Sequence, residues 1–238
     1  MSDAEVKDMP QKQAAARSPI FMMVLAGVLL GIIVSVIMNI LPSSPPAEAP
    51  QAIAPLAPYQ QALEKLKARF GLQPEQLAIV VMLSEQKLLL LKNDAVVASY
   101  PISGAAAGAG SRVGSNQTPL GAHKVLEKIG DGVPVGGVFR SRAYKGEMAK
   151  IYTDQTDVAD DLVTTRIMWL RGLEPGLNSG AGVDSHSRFI YIHGTPEEGL
   201  IGTPASHGCV RLHPENAKTL FTLVRQYGPS AVRVSIEK

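Results

Sequence analysis

An uncharged apolar segment at residues 20–41 constrains this chain more than any other feature of its sequence. It reads IFMMVLAGVLLGIIVSVIMNIL, and about 20 apolar residues in a helix cross the hydrocarbon core of a bilayer. Residues 1–19 carry three basic side chains, whereas residues 42–59 carry no lysine or arginine. Because basic flanks stay in the cytoplasm, the pattern predicts a cytoplasmic tail at 1–19, a single-pass anchor at 20–41 in the inner (cytoplasmic) membrane, and a periplasmic or extracytoplasmic remainder.

A cleaved signal peptide is the alternative interpretation of the same segment. The apolar core of a signal peptide is ordinarily about 7–15 residues long, so the longer run here favours an uncleaved anchor. The stretch Ala47-Glu48-Ala49 nevertheless offers a cleavage pattern of the A-x-A type. Both interpretations export the domain that follows.

Three further segments follow the apolar one. Residues 42–58 are rich in proline and alanine, which predicts a semi-extended linker. Residues 59–75 are predicted to hold a lead-in helix, because apolar side chains recur at helical spacing and Gly71 supplies a stop. Residues 76–238 are predicted to form the main domain.

The main domain is predicted to be mostly β with one or two helices. Short β-prone runs separated by turn residues indicate strands, and Pro214 with an apolar face up to Tyr227 indicates one helix. Loops rich in small residues are predicted at 104–119 and 174–187, the second as a lid over the site. The predicted strands are 78–83, 87–92, 95–102, 122–129, 164–173, 188–194 and 231–236.

Charge and cysteine content narrow the function. The net charge is +2, from 23 basic and 21 acidic residues, and no basic run is present, which gives nucleic-acid binding no support. Cys209 is the single cysteine. An exported chain with one cysteine cannot form an internal disulfide, so the thiol is either a working group or a buried inert one.

A histidine precedes this cysteine by a short loop. His193 ends the predicted strand 188–194, and the chain then returns to Cys209. A thiol attacks a carbonyl as its thiolate, and a nearby imidazole takes the proton and leaves a thiolate–imidazolium pair. Because the loop length allows two neighbouring strand ends to face each other, His193 is predicted to be the base for Cys209.

The residues around the cysteine suit acyl transfer. Gly208 removes a side chain where the backbone approaches a substrate, and the amides of Gly208 and Cys209 are candidates to hold an oxyanion. Ser206 is assigned to the same oxyanion and substrate-binding group. Arg211 shares a strand face with the cysteine, so its guanidinium is predicted to bind a substrate carboxylate, with an ordinary surface charge as the alternative.

These residues resemble the catalytic motif of the L,D-transpeptidases, the YkuD-type domain. That family carries a histidine, a variable loop and then Ser/Thr-His-Gly-Cys, which His193 and residues 206–209 match. The Thr-Pro-Leu-Gly turn at 118–121 is also similar to that domain, and the resemblance covers about 78–236. Many members carry asparagine soon after the cysteine, whereas this chain, like other members, carries Arg211.

The resemblance implies an L,D-transpeptidase-like β-sandwich or barrel that acts on peptidoglycan. Cys209 would attack the bond between the L-centre of diaminopimelate and the terminal D-alanine of a tetrapeptide stem, forming an acyl-enzyme. An amine of another stem, a free D-amino acid or a lipoprotein lysine would then accept the acyl group, and water would make the enzyme an L,D-carboxypeptidase. The resemblance also implies that the Gly194 carbonyl orients the His193 base. No metal or cofactor is expected.

Other interpretations stay open at this point. His207 is either a structural hydrogen-bonding residue or a direct catalytic partner. His193, His207, Cys209 and His213 are a conceivable zinc set, although their spacing matches no common pattern. Papain-like amidases place cysteine before histidine, the reverse of the order here. A wall-binding module that kept the fold without catalysis is the alternative from another class of protein.

Overall fold

The computed structural model describes residues 56–228 and 231–238. Both described ranges belong to one compact unit, residues 55–238. The predicted cytoplasmic tail, the anchor, the cleavage pattern and all but the end of the linker lie outside the described residues. Within the described ranges, no helix is long and apolar enough to cross a membrane.

Ten strands and two α-helices make up the described part of the chain. The helices are α1 (Pro58–Phe70) and α2 (Pro214–Tyr227), and a short 3₁₀ turn covers Glu198–Leu200. The strands are β1 (Leu77–Met82), β2 (Lys87–Lys92), β3 (Ala95–Ser103), β4 (Gly121–Ile129), β5 (Gly137–Arg140), β6 (Ala143–Met148), β7 (Val163–Gly172), β8 (Tyr191–Gly194), β9 (Val210–Leu212) and β10 (Val232–Glu237).

Eight of these strands close into a barrel. Their order is β4-β10-β1-β2-β3-β9-β8-β7, and pairing between β7 and β4 completes the circle. The hairpin β5–β6 extends from β7 outside this circle. Most neighbours are antiparallel, but β1 with β10 and β8 with β9 are parallel. The predicted mostly-β fold with one or two helices is therefore confirmed: it has two helices, and of the predicted sandwich or barrel it is the barrel.

Two apolar clusters hold the barrel and its helices together. The larger one joins residues of eight strands to the buried face of α2, which includes Leu220, Phe221 and Val224. The smaller one packs α1 through Leu63 and Leu66 against the opposite face of β1 and its neighbours. Burying each such side chain contributes roughly 1.5–3 kcal/mol, so both helices are fixed to the barrel by their apolar sides.

Local sequence signals placed most of the elements correctly. The lead-in helix is present, and it ends at Phe70 because Gly71 takes a left-handed φ of 65°. Asn93 and Asp94 have φ of 48° and 65°, the values of a two-residue hairpin turn of type I′. The helix Pro214–Tyr227 has the predicted bounds.

One strand prediction was partly wrong, and three strands were missed. The predicted strand 188–194 begins only at Tyr191, because Phe189 turns into a left-handed conformation with φ 58°. The hairpin β5–β6 has six exposed or half-exposed residues in β6, so no alternating apolar pattern marked it. β9 has only three residues, too few for a periodicity to show.

Candidate functional site

The site is built on the parallel pair of strands β8 and β9. His193 lies opposite Arg211 in this pair, and Ile192 lies opposite Val210. Cys209 directly precedes β9, so by the same register it lies beside Tyr191. Tyr191 is two residues before His193 on β8. Neighbouring strands are about 4.8 Å apart and rise about 3.3 Å per residue. Since residues two apart share a face, the cysteine and the histidine lie on one face, away from the α2-covered core.

The His193 ring is fully buried and oriented by the backbone. Its Nδ1 lies 2.9 Å from the carbonyl oxygen of Gly194, the contact that the resemblance implied. A ring whose Nδ1–H donates to a carbonyl is held in the tautomer with Nε2 unprotonated. Among the described residues, Nε2 makes no hydrogen bond. Burial lowers the pKa of His193 below its ordinary value, against the opposing effect of Asp161, so the ring is a neutral base at neutral pH.

The Cys209 thiol is partly exposed and held by two backbone groups. Its Sγ accepts from the Tyr191 amide at 3.3 Å and donates to the Phe189 carbonyl at 3.4 Å. Burial raises the pKa of the Cys209 thiol to about 12, and the negative charge of Asp161 acts in the same direction. The thiol is therefore protonated at rest.

The free site thus holds a neutral thiol and a neutral imidazole. Because Nε2 of His193 has no hydrogen-bond partner in the described chain, no hydrogen bond joins it to Cys209 in this state. Formation of the thiolate–imidazolium pair expected from the sequence stays a prediction. A proton transfer between them requires the thiol to turn from the Phe189 carbonyl toward the ring.

Ser206 and Gly208 shape the loop that carries the cysteine. The buried Ser206 hydroxyl donates to the Cys209 carbonyl at 2.6 Å and accepts from the Gly208 amide at 3.2 Å. Gly208 has φ 129°, and a Cβ there would lie 3.3 Å from the Gln117 carbonyl. Both groups are therefore hydrogen-bonded within the loop of the free protein, and their part in oxyanion or substrate binding stays a prediction.

Arg211 is a buried cation and not an ordinary surface charge. Its side chain is 1% exposed and lies between two carboxylates. One guanidinium nitrogen is 2.5 Å from Glu197 Oε2, and the other is 2.7 Å from Asp161 Oδ1. Both terminal nitrogens are thus paired with acids of the protein itself, and binding of a substrate carboxylate by Arg211 stays a prediction.

Asp161 also lies beside the cysteine loop, although no sequence pattern marked it. Its Oδ2 accepts from the His207 amide at 3.1 Å and lies 3.2 Å from the His207 Nδ1. Burial raises the pKa of the Asp161 carboxyl, but Arg211, His193 and the His207 amide together lower it below its usual value. Asp161 therefore stays ionised and ties the loop before β7 to the cysteine loop. His207 itself is exposed, with its ring beside this carboxylate.

His123 and Trp169 are both held inside the fold. His123 is fully buried, with hydrogen bonds of 2.9 Å to the Gly121 carbonyl and to the Ser185 hydroxyl. Trp169 is 7% exposed, as expected of a core residue. Inside the predicted lid 174–187, the buried Asn178 donates to the barrel, so this loop is pinned at its base. Within the described ranges, no group of three or more His, Cys, Asp or Glu residues is placed to hold a metal ion.

Alkylation of Cys209 is expected to follow the raised pKa of its thiol. The rate of reaction with iodoacetamide should keep rising above pH 9, since the thiolate fraction keeps growing toward the pKa of about 12. The same chain unfolded in urea is the control, and its rate should level off near the ordinary thiol pKa of about 8.5. Intact mass measures the reaction without ambiguity, because the chain has one cysteine. A plateau of the folded protein below pH 7 would instead indicate a preformed thiolate.

Comparison with known proteins places this chain in a family. The family model for the L,D-transpeptidase catalytic domain (YkuD) matches residues 76–234. No curated protein sequence matches the chain significantly. The match spans most of the described domain and includes His193 and Cys209, and the chain belongs to the L,D-transpeptidase catalytic domain family.

Solved structures of L,D-transpeptidases are similar to this chain at low identity. An L,D-transpeptidase from Mycobacterium smegmatis is 16% identical, with 68% of this chain and 59% of that chain covered and a TM-score of 0.40. L,D-transpeptidase 3 from Mycobacterium tuberculosis, with a faropenem-derived adduct, is 17% identical over 68% and 60%, with a TM-score of 0.41. One from Xylanimonas cellulosilytica is 18% identical over 74% and 69%, with a TM-score of 0.37. The chain spans about three fifths of the length of the first two.

Proposed function

We propose that this protein is an L,D-transpeptidase that acts on peptidoglycan tetrapeptide stems through a Cys209 acyl-enzyme. The observation that carries the proposal is the arrangement of His193 and Cys209 on one face of two paired strands. The Gly194 carbonyl holds Nδ1 of His193 at 2.9 Å. The unpartnered Nε2 is then the nitrogen left to receive a proton from the thiol.

Acylation begins when the thiol turns toward His193. The S–H proton passes to Nε2, and the sulfur attacks the carbonyl carbon of the bond between diaminopimelate and D-alanine. The C–S bond forms as the carbonyl becomes an oxyanion. The C–N bond then breaks, D-alanine leaves with the proton from the imidazolium, and a thioester on Cys209 remains.

Deacylation reverses the proton path. An acceptor amine gives a proton to Nε2 of His193 and attacks the thioester carbonyl, and the thiol is reformed as the C–S bond breaks. The acceptor is an amine of another stem, a free D-amino acid or a lipoprotein lysine. With water instead, the product is a trimmed stem and the activity is that of an L,D-carboxypeptidase.

The charges around the pair favour this cycle. The imidazolium that forms transiently at His193 lies near the ionised Asp161, whose charge favours the protonated ring. The Tyr191 amide, 3.3 Å from Sγ, stabilises the thiolate as it develops. Asp161 therefore stabilises the protonated form of His193, and the Tyr191 amide stabilises the thiolate form of Cys209.

The proposed place of this reaction is the periplasmic side of the inner membrane. It rests on the apolar segment 20–41 and on the basic residues before it. In that position the linker 42–58 would hold the barrel away from the bilayer, within reach of the wall.

Purified muropeptides test the proposal directly. Incubation with tetrapeptide-bearing disaccharides should give cross-linked dimers and free D-alanine, separable by chromatography and mass spectrometry. Trimmed tripeptides without dimers would assign hydrolysis rather than transfer. Unchanged tetrapeptides, with and without added D-amino acid as acceptor, would contradict the proposed activity.

A further inference from the structure

The turn of the β5–β6 hairpin places a cation on an aromatic surface beside the nucleophile. Arg142 lies with its guanidinium carbon 4.7 Å from the Trp169 ring centre and 5.2 Å from the Phe189 ring centre. One of its nitrogens is 3.5 Å from the Tyr191 hydroxyl. A cation within about 6 Å of an aromatic face is attracted to it, so these three rings hold the guanidinium in place.

The same aromatic residues hold the thiol. The Tyr191 amide and the Phe189 carbonyl are the two hydrogen-bond partners of the Cys209 sulfur, at 3.3 and 3.4 Å. Cys209 also packs against the apolar cluster that contains Trp169 and Tyr191. The guanidinium and the thiol therefore share one wall of the site.

The hairpin turn sets the position of Arg142. Ser141 and Arg142 have φ of 49° and 67°, the values of a two-residue turn of type I′, and Arg140 pairs with Ala143 on either side of it. Phe189, which is half exposed, has φ 58°, an uncommon conformation for a bulky residue. The turn of one segment and the bend of the other therefore bring Arg142 and Phe189 into contact.

Arg142 also lacks an anionic partner. Its neighbour Arg140 pairs with Glu147 at 3.0 Å and with Asp160 at 3.6 Å. Across residues 56–228 and 231–238, no carboxylate lies within ion-pair distance of Arg142. The nearby Glu127 instead faces His186 at 3.6 Å. A guanidinium held on rings with an unused edge is suited to bind a carboxylate from outside.

We propose that Arg142, seated on Trp169 and Phe189, forms a subsite for a substrate carboxylate beside the Cys209 thiol. The identity of that substrate rests on the proposed function: the carboxylate is one of a peptide stem, from either the acyl donor or the acceptor. Arg142 has no acidic partner in the described chain, whereas Arg211 is paired with Asp161 and Glu197.

Two alkylating reagents test the subsite without any transferase assay. Iodoacetate is an anion and iodoacetamide is its neutral counterpart, and both react with Cys209, the one cysteine of the chain. At low salt, the rate with iodoacetate divided by the rate with iodoacetamide should fall about fivefold in Arg142→Gln, which is the effect of one unit charge at a partly exposed site. The ratio in Arg142→Lys should stay near that of the wild type. At about 0.5 M salt, the ratios of the wild type and Arg142→Gln should become more alike, because salt screens the charge.

Arg140→Gln is the matched control, because it removes a guanidinium from the same hairpin whose charge is already paired. Its rate ratio should stay within twofold of wild type. The rate with iodoacetamide alone reports whether the thiol itself has been disturbed, since a change in thiol pKa affects both reagents equally. A ratio that is unchanged in Arg142→Gln, or equally reduced in Arg140→Gln, would overturn the subsite.

Stem peptides then identify the source of the carboxylate. Two amidated substrates are needed, one with its carboxyl group blocked on the donor stem and one on the acceptor. The KM of each is measured with the wild-type protein and with Arg142→Gln. The substrate whose KM becomes insensitive to Arg142 once amidated is the one that the subsite binds. If the alkylation ratio responds to Arg142 while no stem is processed, the anion subsite stands and the proposed function fails. If stems are processed but the alkylation ratio does not respond to Arg142, the proposed function stands and the subsite fails.

Discussion

Replacing Cys209 with alanine is expected to abolish transfer of stem peptides, with turnover falling by a factor on the order of 10⁴ or more. The reason is chemical, because no other cysteine exists in the chain to form the thioester. Release of D-alanine from a tetrapeptide stem is the measurement. The fold should survive, since Cys209 is partly exposed at the edge of its cluster.

Two further readouts make this variant decisive. A carbapenem should add its mass to the wild-type chain and leave Cys209→Ala unmodified, as seen by intact mass spectrometry. Wall fragments should still bind the variant, which separates loss of chemistry from loss of the fold. Full activity in Cys209→Ala would refute the enzyme interpretation, and a non-catalytic wall-binding module would predict no difference between the two proteins.

Arg211→Met should destabilise the fold by about 3–5 kcal/mol, the usual cost of removing one partner from a buried ion pair. Glu197 is 1% exposed and would lose the guanidinium that neutralises it. Glu197 also accepts from the Val158 amide at 2.7 Å, so the loop before β7 should loosen with it. Urea titration followed by Trp169 fluorescence measures the loss, because this single tryptophan is buried and stacked on His186 at 4.0 Å.

Arg225→Met is the matched control for Arg211→Met. Its partner Asp131 is at 2.7 Å, the same distance as Asp161 from Arg211, but both side chains of this pair are more than half exposed. An exposed pair contributes about 1 kcal/mol or less, so this variant should unfold close to wild type. Equal losses in the two variants would mean that burial of Arg211 has no special energetic role.

The secondary structure was predictable where short-range chemistry decides it. Alternating and continuous apolar runs gave β1, β2 and β4, and the asparagine–aspartate turn at 93–94 gave the hairpin between β2 and β3. Each of these signals acts within a few residues. The predicted strand did not extend over 188–190 because the chain bends at Phe189. In this bend the Phe189 carbonyl accepts a hydrogen bond from Cys209, which belongs to another segment of the chain.

The site divides in the same way. The spacing of His193 and Cys209 could be recognised from the sequence, as could the Gly194 carbonyl as neighbour of the ring. The partners of Ser206 and Arg211 could not be predicted, because residue type alone does not show which other groups of the fold a hydroxyl or a guanidinium contacts. The hydrogen bond of Ser206 within its own loop and the ion pairs of Arg211 with two acids are seen only in the tertiary structure.

The sequence by itself determined the family and seven of the ten strands, and it predicts the nucleophile and base, because these follow from residue types at short separations. Only the tertiary structure decided which charges surround them. Asp161 contacts His207 of the cysteine loop, which is 46 residues further along the chain. Arg142 contacts Tyr191, which is 49 residues further along. Such contacts depend on barrel closure and strand register, which bring distant segments to the same face and which no local pattern encodes.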